Sequence, residues 1–84
     1  MKINPLIVYR KEFDGNALLF NPDNGDTFGI NKTASFIWEL LDKGLSRDEI
    51  INAIRKQTTG ISDTMENDVD DFIAELKNKG YLAD

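Results

Sequence analysis

Residues 20–41 read FNPDNGDTFGINKTASFIWELL, and this segment decides the fold of the chain. The dipeptide Asn24-Gly25 predicts a type I′ β-turn, because both central positions of that turn need positive φ. In the strand that follows, Phe28 and Ile30 lie two positions apart and therefore share one face. Asn31 stands where a helix N-cap is expected, since its side-chain oxygen can accept from an amide of the first turn. We therefore predict that a hairpin passes directly into a helix.

The strands of this hairpin are predicted at residues 17–20 and at residues 26–30 or 27–30. An earlier β-rich run predicts another strand at residues 6–13, and we expect residues 1–5 to be frayed. Gly29 lies inside the third strand. An interior glycine marks a bulge, a close approach of another backbone, or relief of crowding near the helix entrance, and the sequence leaves these open.

Three helices are predicted after the strands. The first begins near Lys32 and ends at Gly44, with apolar residues at the i, i+3, i+4, i+7 spacing of a buried stripe. The second begins at the capping box of Ser46 and Glu49 and ends at residues 57–60. The third is capped by Ser62 or Asp63, ends at Lys79 and Gly80, and is followed by two apolar residues that fold back on it. The apolar residues of the three helices are Ala34, Ile37, Trp38, Leu41, Ile50, Ile51, Ile54, Met65, Val69, Phe72, Ile73 and Leu76.

The order of elements gives the fold class. A three-stranded antiparallel sheet followed by three helices is an α+β arrangement, similar to a winged helix-turn-helix with its strands placed first. We find no repeat and no linker in the 84 residues. The prediction is one domain, residues 1–84.

Composition restricts the function. The chain has a net charge of −5 and contains neither cysteine nor histidine. Thiolate metal sites are thereby excluded, and the commonest general base is missing. The acidic balance argues against a nucleic-acid partner, which needs clustered Lys and Arg. No apolar run approaches the roughly 20 residues of a membrane span, and no signal peptide opens the chain. We expect a cytoplasmic protein with no cofactor, no metal and no membrane partner.

Five segments have the order and spacing of a known family. They are LLFNP (18–22), FGINKTA (28–34), IWELLDKG (37–44), SRDEI (46–50) and VDDFIAELKNKGYL (69–82). Each consists mainly of predicted core and capping residues, and together they span nearly the whole chain. On these segments the sequence resembles the PqqD family, small peptide-binding proteins and domains also called RiPP recognition elements.

The resemblance implies a non-catalytic function. Members bind the N-terminal leader of a ribosomally made precursor peptide and present it to a modifying enzyme, often a radical SAM protein. The product would be a peptide-derived natural product or a cofactor such as pyrroloquinoline quinone. The leader adds as a strand to the third strand, in the groove beside the third helix. We expect a monomer or weak homodimer whose partners are the precursor and a radical SAM or other peptide-modifying enzyme.

The physics of strand addition suits such a role. An exposed edge strand offers unpaired amides and carbonyls, and pockets for alternate side chains supply selectivity. The third helix would form the other wall, with apolar pockets at Met65, Val69 and Phe72. Its acids either form a solvated face or, at Asp68, Asp71 or Glu75, steer a basic leader. The predicted peptide-binding residues are Asp26, Thr27, Phe28, Gly29, Ile30, Asn31, Met65, Asp68, Val69 and Phe72.

Two alternatives belong to other classes. A winged-helix DNA-binding regulator is the first, although its recognition helix should offer Lys or Arg, and the third helix here offers mainly acids. A small enzyme that works through carboxylates is the second, and loss of turnover on changing Asp68 or Asp71 would support it.

Overall fold

The computed structural model describes residues 1–57 and 64–83. Two short strands near the ends of the chain enclose a three-stranded hairpin sheet and three helices. The elements are β1 (Lys2–Ile3), β2 (Val8–Lys11), β3 (Ala17–Phe20), β4 (Thr27–Ile30), α1 (Lys32–Asp42), α2 (Arg47–Gln57), α3 (Met65–Asn78) and β5 (Leu82–Ala83).

The main sheet is antiparallel in the order β2-β3-β4. Leu19 of the central strand pairs with Tyr9 on one side and with Phe28 on the other. The bounds predicted for the second and third strands are confirmed. The first strand is shorter than predicted, because Asn4 accepts from Leu6 N through its side chain and from Ile7 N through its carbonyl, which makes residues 4–7 a turn.

The two faces of this sheet differ. Alternate residues that include Ala17, Leu19 and Ile30 are buried against the helices, with exposed fractions of 2%, 0% and 6%. The opposite side, called the outer face here, is half-buried or exposed. It carries Val8, Arg10, Leu18, Phe20, Thr27 and Gly29.

The second sheet joins the two ends of the described chain. Lys2 pairs with Ala83, and Ile3 pairs with the buried Leu82. Asn4 N also donates to Tyr81 O at 2.9 Å. The prediction that residues 1–5 are frayed is therefore wrong, because these backbone groups have partners far along the chain.

The turn between β3 and β4 also differs from the prediction. Gly25 has φ of +77°, but no residue other than glycine has positive φ in the described part of the chain, so Asn24 does not fit a type I′ turn. Residues 21–26 form a longer loop in which Gly25 N donates to Asn21 O at 2.8 Å. The side chains of Asn21 and Asn24 accept from the amides of Asp23 and Asp26 at 2.9 Å each. Such local side-chain acceptors compete with the tighter turn.

The predicted helix boundaries are largely confirmed. Asn31 caps α1 by accepting from Ala34 N at 2.9 Å. Ser46 and Glu49 form the reciprocal capping box of α2, with bonds of 2.9 and 3.3 Å. Gly44 and Gly80 follow α1 and α3 with left-handed φ. The predicted stop at residues 58–60 and the predicted caps Ser62 and Asp63 lie outside the described residues.

The helices and the inner face of the sheet share one core. Trp38 is 3% exposed, as expected for a residue of the apolar stripe, and its ring lies 6.4 Å from the ring of Tyr9. Tyr81 is 1% exposed and its amide donates to Leu76 O at 2.9 Å, so the residues after α3 fold back as predicted. This core fixes β4, α1 and α3 around the site described next.

Candidate functional site

The hydrogen-bond pattern of β4 determines which of its backbone groups are available. The bond from Asn21 N to Asp26 O, at 2.9 Å, continues the register of the β3–β4 ladder. Bonded and non-bonded pairs alternate in an antiparallel ladder. Phe28 and Ile30 are therefore the β4 residues that bond to β3.

Thr27 and Gly29 alternate with these bonded residues, so their N–H and C=O groups point away from β3. No strand of the described chain lies on that side, because β4 is the last strand of its sheet. The edge is thus a row of amides and carbonyls at the spacing that an added strand would use.

A groove runs beside this edge, and we call it the α3 groove. Its volume is about 380 Å³. Three elements form it: β4, the first turns of α1, and one face of α3. Its lining residues are Phe28, Gly29, Ile30, Asn31, Thr33, Ala34, Ile37, Asp68, Asp71, Phe72 and Glu75.

Aromatic side chains bridge the two walls of the α3 groove. The rings of Phe28 and Phe72 lie 6.4 Å apart with an interplanar angle of 38°. Lys79 Nζ lies 4.7 Å from the centroid of the Phe28 ring, within the range of a cation–π contact. Both phenylalanines are half-buried. They therefore give the groove an apolar floor at this end while leaving part of each ring accessible.

The acids of α3 divide into two groups on two faces. Asp68, Asp71 and Glu75 line the α3 groove. On the side facing α2, Arg47 binds Asp70 with two hydrogen bonds of 2.8 and 3.0 Å. These bonds are the main reason that the pKa of Asp70 lies below its ordinary value.

Glu66 lies on the same α2-facing side as Asp70, because its Oε1 atom is 3.7 Å from Nη2 of Arg55. The acidic character of α3 is therefore not uniform. One set of carboxylates connects two helices, and the other set faces the groove.

Ten predicted site residues occupy three kinds of position. Phe28, Gly29, Ile30, Asn31, Asp68 and Phe72 line the α3 groove. Asp26 and Thr27 lie outside the groove lining: Thr27 is on the open edge of β4, and Asp26 ends the loop before it, with its N–H donating to Asn24 Oδ1. Met65 and Val69 are in the core, with exposed fractions of 8% and 1%, and neither lines the groove, so a role for them in peptide binding stays a prediction. Helical spacing places Met65 and Val69 on one apolar stripe with Phe72. Spacing alone does not distinguish the buried middle of that stripe from its partly exposed margin.

The sequence prediction missed the wall supplied by α1. Thr33, Ala34 and Ile37 line the groove because β4 passes into α1 through the single capping residue Asn31. The apolar spacing of Ala34 and Ile37 was visible in the sequence and was assigned to the core. Ile37 is 3% exposed, and this small accessible part of its surface belongs to the groove floor.

A second depression lies on the other side of the β4 edge, and we call it the outer hollow. Its volume is about 410 Å³. It shares Gly29, Ile30 and Asn31 with the α3 groove, so the two depressions lie on either side of one strand. Its other lining residues are Glu12, Asp14, Asn16, Ala17 and Leu18.

Two further properties bear on the chemistry of the site. Within residues 1–57 and 64–83, no group of three or more acidic, histidine or cysteine side chains is arranged to hold a metal ion. None of the helices in these ranges combines the length and apolar character needed to cross a membrane.

The chain is similar to a known protein family and to a solved structure. The family model described as "Coenzyme PQQ synthesis protein D (PqqD)" matches residues 16–82. A solved structure described as "TbiB1 in Complex with the TbiA(beta) Leader Peptide" is similar over 100% of both chains, with 33% sequence identity and a TM-score of 0.83. A comparison with curated proteins returned no match.

Proposed function

The chain belongs to the PqqD family, and from that premise we propose that it binds the leader of a ribosomally made precursor peptide. The leader adds as a strand to β4, and the bound precursor is presented to a peptide-modifying enzyme. The similar structure of TbiB1, which holds a leader peptide, supports this assignment.

The observation that carries the proposal is the open edge of β4 beside the α3 groove. Thr27 and Gly29 offer backbone groups to an added strand, and such main-chain bonds supply affinity. The groove offers a half-buried aromatic floor at Phe28 and Phe72 to alternate side chains of that strand. Backbone pairing and side-chain contacts are thus available at one place.

The role is non-catalytic in this proposal. The chain lacks histidine and cysteine, and the groove acids lie against apolar walls suited to holding a peptide. A radical SAM enzyme is the proposed partner, and pyrroloquinoline quinone or another peptide-derived product is the proposed end product. The protein would meet its precursor in the cytoplasm, where ribosomes make it. The DNA-binding alternative receives no support, because α3 directs acids and not cations to the groove.

Proline substitution on each sheet edge tests the proposal. Gly29→Pro removes an N–H that points to the open edge of β4, and prolines are tolerated on edge strands because they cost no ladder bond. Lys11→Pro is the matched control, since by the same alternation Lys11 directs its N–H to the open edge of β2. The probe is a peptide of about 12 residues selected from a displayed random library against the wild-type protein.

Gly29→Pro should weaken binding of the selected peptide by roughly tenfold or more, which corresponds to the loss of one backbone bond and its register. Lys11→Pro should leave affinity unchanged. Calorimetry gives the affinities, and NMR amide shifts map the contact. Equal weakening by both variants, or shifts confined to α1 and α2 with residues 26–31 silent, would refute strand addition at β4.

A further inference from the structure

Nothing in residues 1–57 and 64–83 requires position 29 to be glycine. The other described glycines, at positions 15, 25, 44 and 80, have φ between +77° and +93°, where side chains are disfavoured, and Gly29 does not. A Cβ atom built on Gly29 would meet only Leu18 Cδ2, at 3.8 Å, which is an ordinary contact. The structure therefore shows no crowding that glycine relieves, and glycine inside a strand weakens that strand.

The missing side chain of Gly29 leaves a gap on the outer face. Gly29 pairs with Leu18 across the β3–β4 ladder, and the missing Cβ would lie on the same face as the Leu18 side chain. Leu18 is half-buried, and both residues line the outer hollow. Any strand added to β4 would therefore have this gap between its own outward side chains and Leu18.

Side chains of an added strand alternate between the two faces of the sheet. Those on the inner face enter the α3 groove, and those on the outer face lie over the outer hollow. Because Gly29, Ile30 and Asn31 line both depressions, a single bound strand spans both. The outer hollow is thus continuous with the proposed peptide site.

We propose that the outer hollow is a second side-chain subsite for the leader, and that it takes one large apolar residue, an aromatic for preference. The face of its ring would lie on Gly29 and Leu18, and its positively polarised edge would face the acids Glu12 and Asp14 of the hollow. This inference rests on the proposed function. Neighbouring strands lie about 4.8 Å apart, so Leu18 and the leader strand are separated by about twice that distance. An aromatic side chain laid over Gly29 crosses the gap and reaches Leu18, as aromatic residues do when they cover glycine in sheets.

Filling the gap from the protein side gives the test. Gly29→Val places a branched side chain where the leader residue would lie, and it suits an extended strand. Val8→Ile is the matched control, because it enlarges a branched side chain on the same outer face but on β2, away from the open edge of β4 and outside the outer hollow. Thermal unfolding of each variant confirms the fold. The three proteins are then used in parallel to select peptides of about 12 residues from one displayed random library.

Wild type and Val8→Ile should select peptides that share one large apolar position, and Gly29→Val should select a small residue there. A wild-type-selected peptide should bind Gly29→Val roughly tenfold more weakly. In the wild-type complex, the Leu18 methyl signals should move upfield, because an aromatic ring lies over them.

Two results would overturn the inference, and they are distinguishable. If Gly29→Val and wild type select the same residues and bind them equally, while residues 26–31 still show amide shifts, the outer subsite is wrong and strand addition stands. If no protein enriches peptides, or if amide shifts spare residues 26–31, the proposed function fails together with the subsite.

Discussion

The hydroxyl of Tyr9 connects β2 to α1 through a chain of hydrogen bonds. It donates to Glu39 Oε2 at 2.6 Å, and it also contacts the hydroxyl of Ser35, which is 2% exposed. A tyrosine has one O–H, so the hydroxyl of Ser35 is the donor in that second bond. Lys11 Nζ lies 3.4 Å from Glu39 and completes the cluster. A buried hydroxyl and a carboxylate are thereby both satisfied by one strand residue.

We predict that Tyr9→Phe destabilises the protein by about 1–3 kcal/mol, because it leaves the buried Ser35 hydroxyl without this partner. It should also change how steeply the free energy of unfolding falls at acidic pH. The hydrogen bond from Tyr9 is the main cause that lowers the pKa of Glu39 below its ordinary value of 4.5. A carboxyl with a lowered folded pKa stabilises the fold above its unfolded pKa and loses that contribution as pH falls through the folded pKa.

Urea unfolding between about pH 3 and pH 7 measures this effect. The stabilisation from Glu39 is lost as pH falls below about 4.5. Wild type should lose stability in that pH range more steeply than Tyr9→Phe does. Glu39→Gln is the control, since it lacks the titrating group. If the free energy of unfolding falls equally steeply at acidic pH in wild type and in Tyr9→Phe, the hydrogen bond from Tyr9 does not lower the pKa of Glu39.

The start of α2 is determined by local chemistry. Ser46 N donates to Glu49 Oε1 at 2.9 Å, and Glu49 N donates to Ser46 Oγ at 3.3 Å. Ile50, Ile51 and Ile54 then bury one side of the helix. On the exposed side, Arg47 connects the start of α2 to Asp70 of α3. The cap therefore begins a helix whose first residue also holds α3.

Ser46→Ala should cost about 0.5–2 kcal/mol, because the side-chain acceptor of the cap is lost. Ser46→Asn, which restores an acceptor, should recover most of that stability. Denaturant unfolding compares the three proteins. Peptide affinity should be equal in all of them, because Ser46 is not among the residues that line the α3 groove. A strong loss of affinity at unchanged stability would show that the binding site has been misplaced.

Elements with local causes were predictable from the sequence, and contacts between distant residues were not. Asn31 and Ser46 act within three residues of themselves, so their caps were predicted. The cluster of Tyr9 joins residues 26 and 30 positions apart, which no spacing pattern reveals. The prediction of a type I′ turn at Asn24-Gly25 was wrong for a local reason, because two asparagine side chains stabilise a longer loop. In the site, Phe28, Gly29 and Ile30 lie on the last strand of the sheet and line the groove, and their role in peptide binding stays a prediction. Burial separates Met65 and Val69 from the accessible Phe72.

The packing of the helices distributes the net charge of −5 over the protein. Arg47 and Arg55 lie against Glu66 and Asp70 on the α2 side. Asp68, Asp71 and Glu75 face the α3 groove. These three carboxylates attract a positively charged partner, and such attraction accelerates its encounter with the groove.

We predict that a basic leader associates in a salt-sensitive manner. Glu75→Gln should slow its association several-fold at low salt, and Glu66→Gln, the same change on the other side of α3, should have a smaller effect. The two variants should converge at high salt, where the Debye length is about 3 Å. Stopped-flow measurements with a lysine-containing peptide selected against the wild-type protein test this. Equal rates for both variants at low salt would mean that the groove acids are a solvated face.

The pairing of β1 with β5 sets how this domain can be attached to other polypeptide. Lys2 and Ala83 are direct partners in an antiparallel pair, so their Cα atoms lie roughly 5 Å apart. Any chain entering at Lys2 and any chain leaving at Ala83 pass through the same small area, on strands that take no part in the β2-β3-β4 sheet. The domain can thus be spliced into a loop of a larger enzyme, or circularised and reopened elsewhere, without pulling its ends apart.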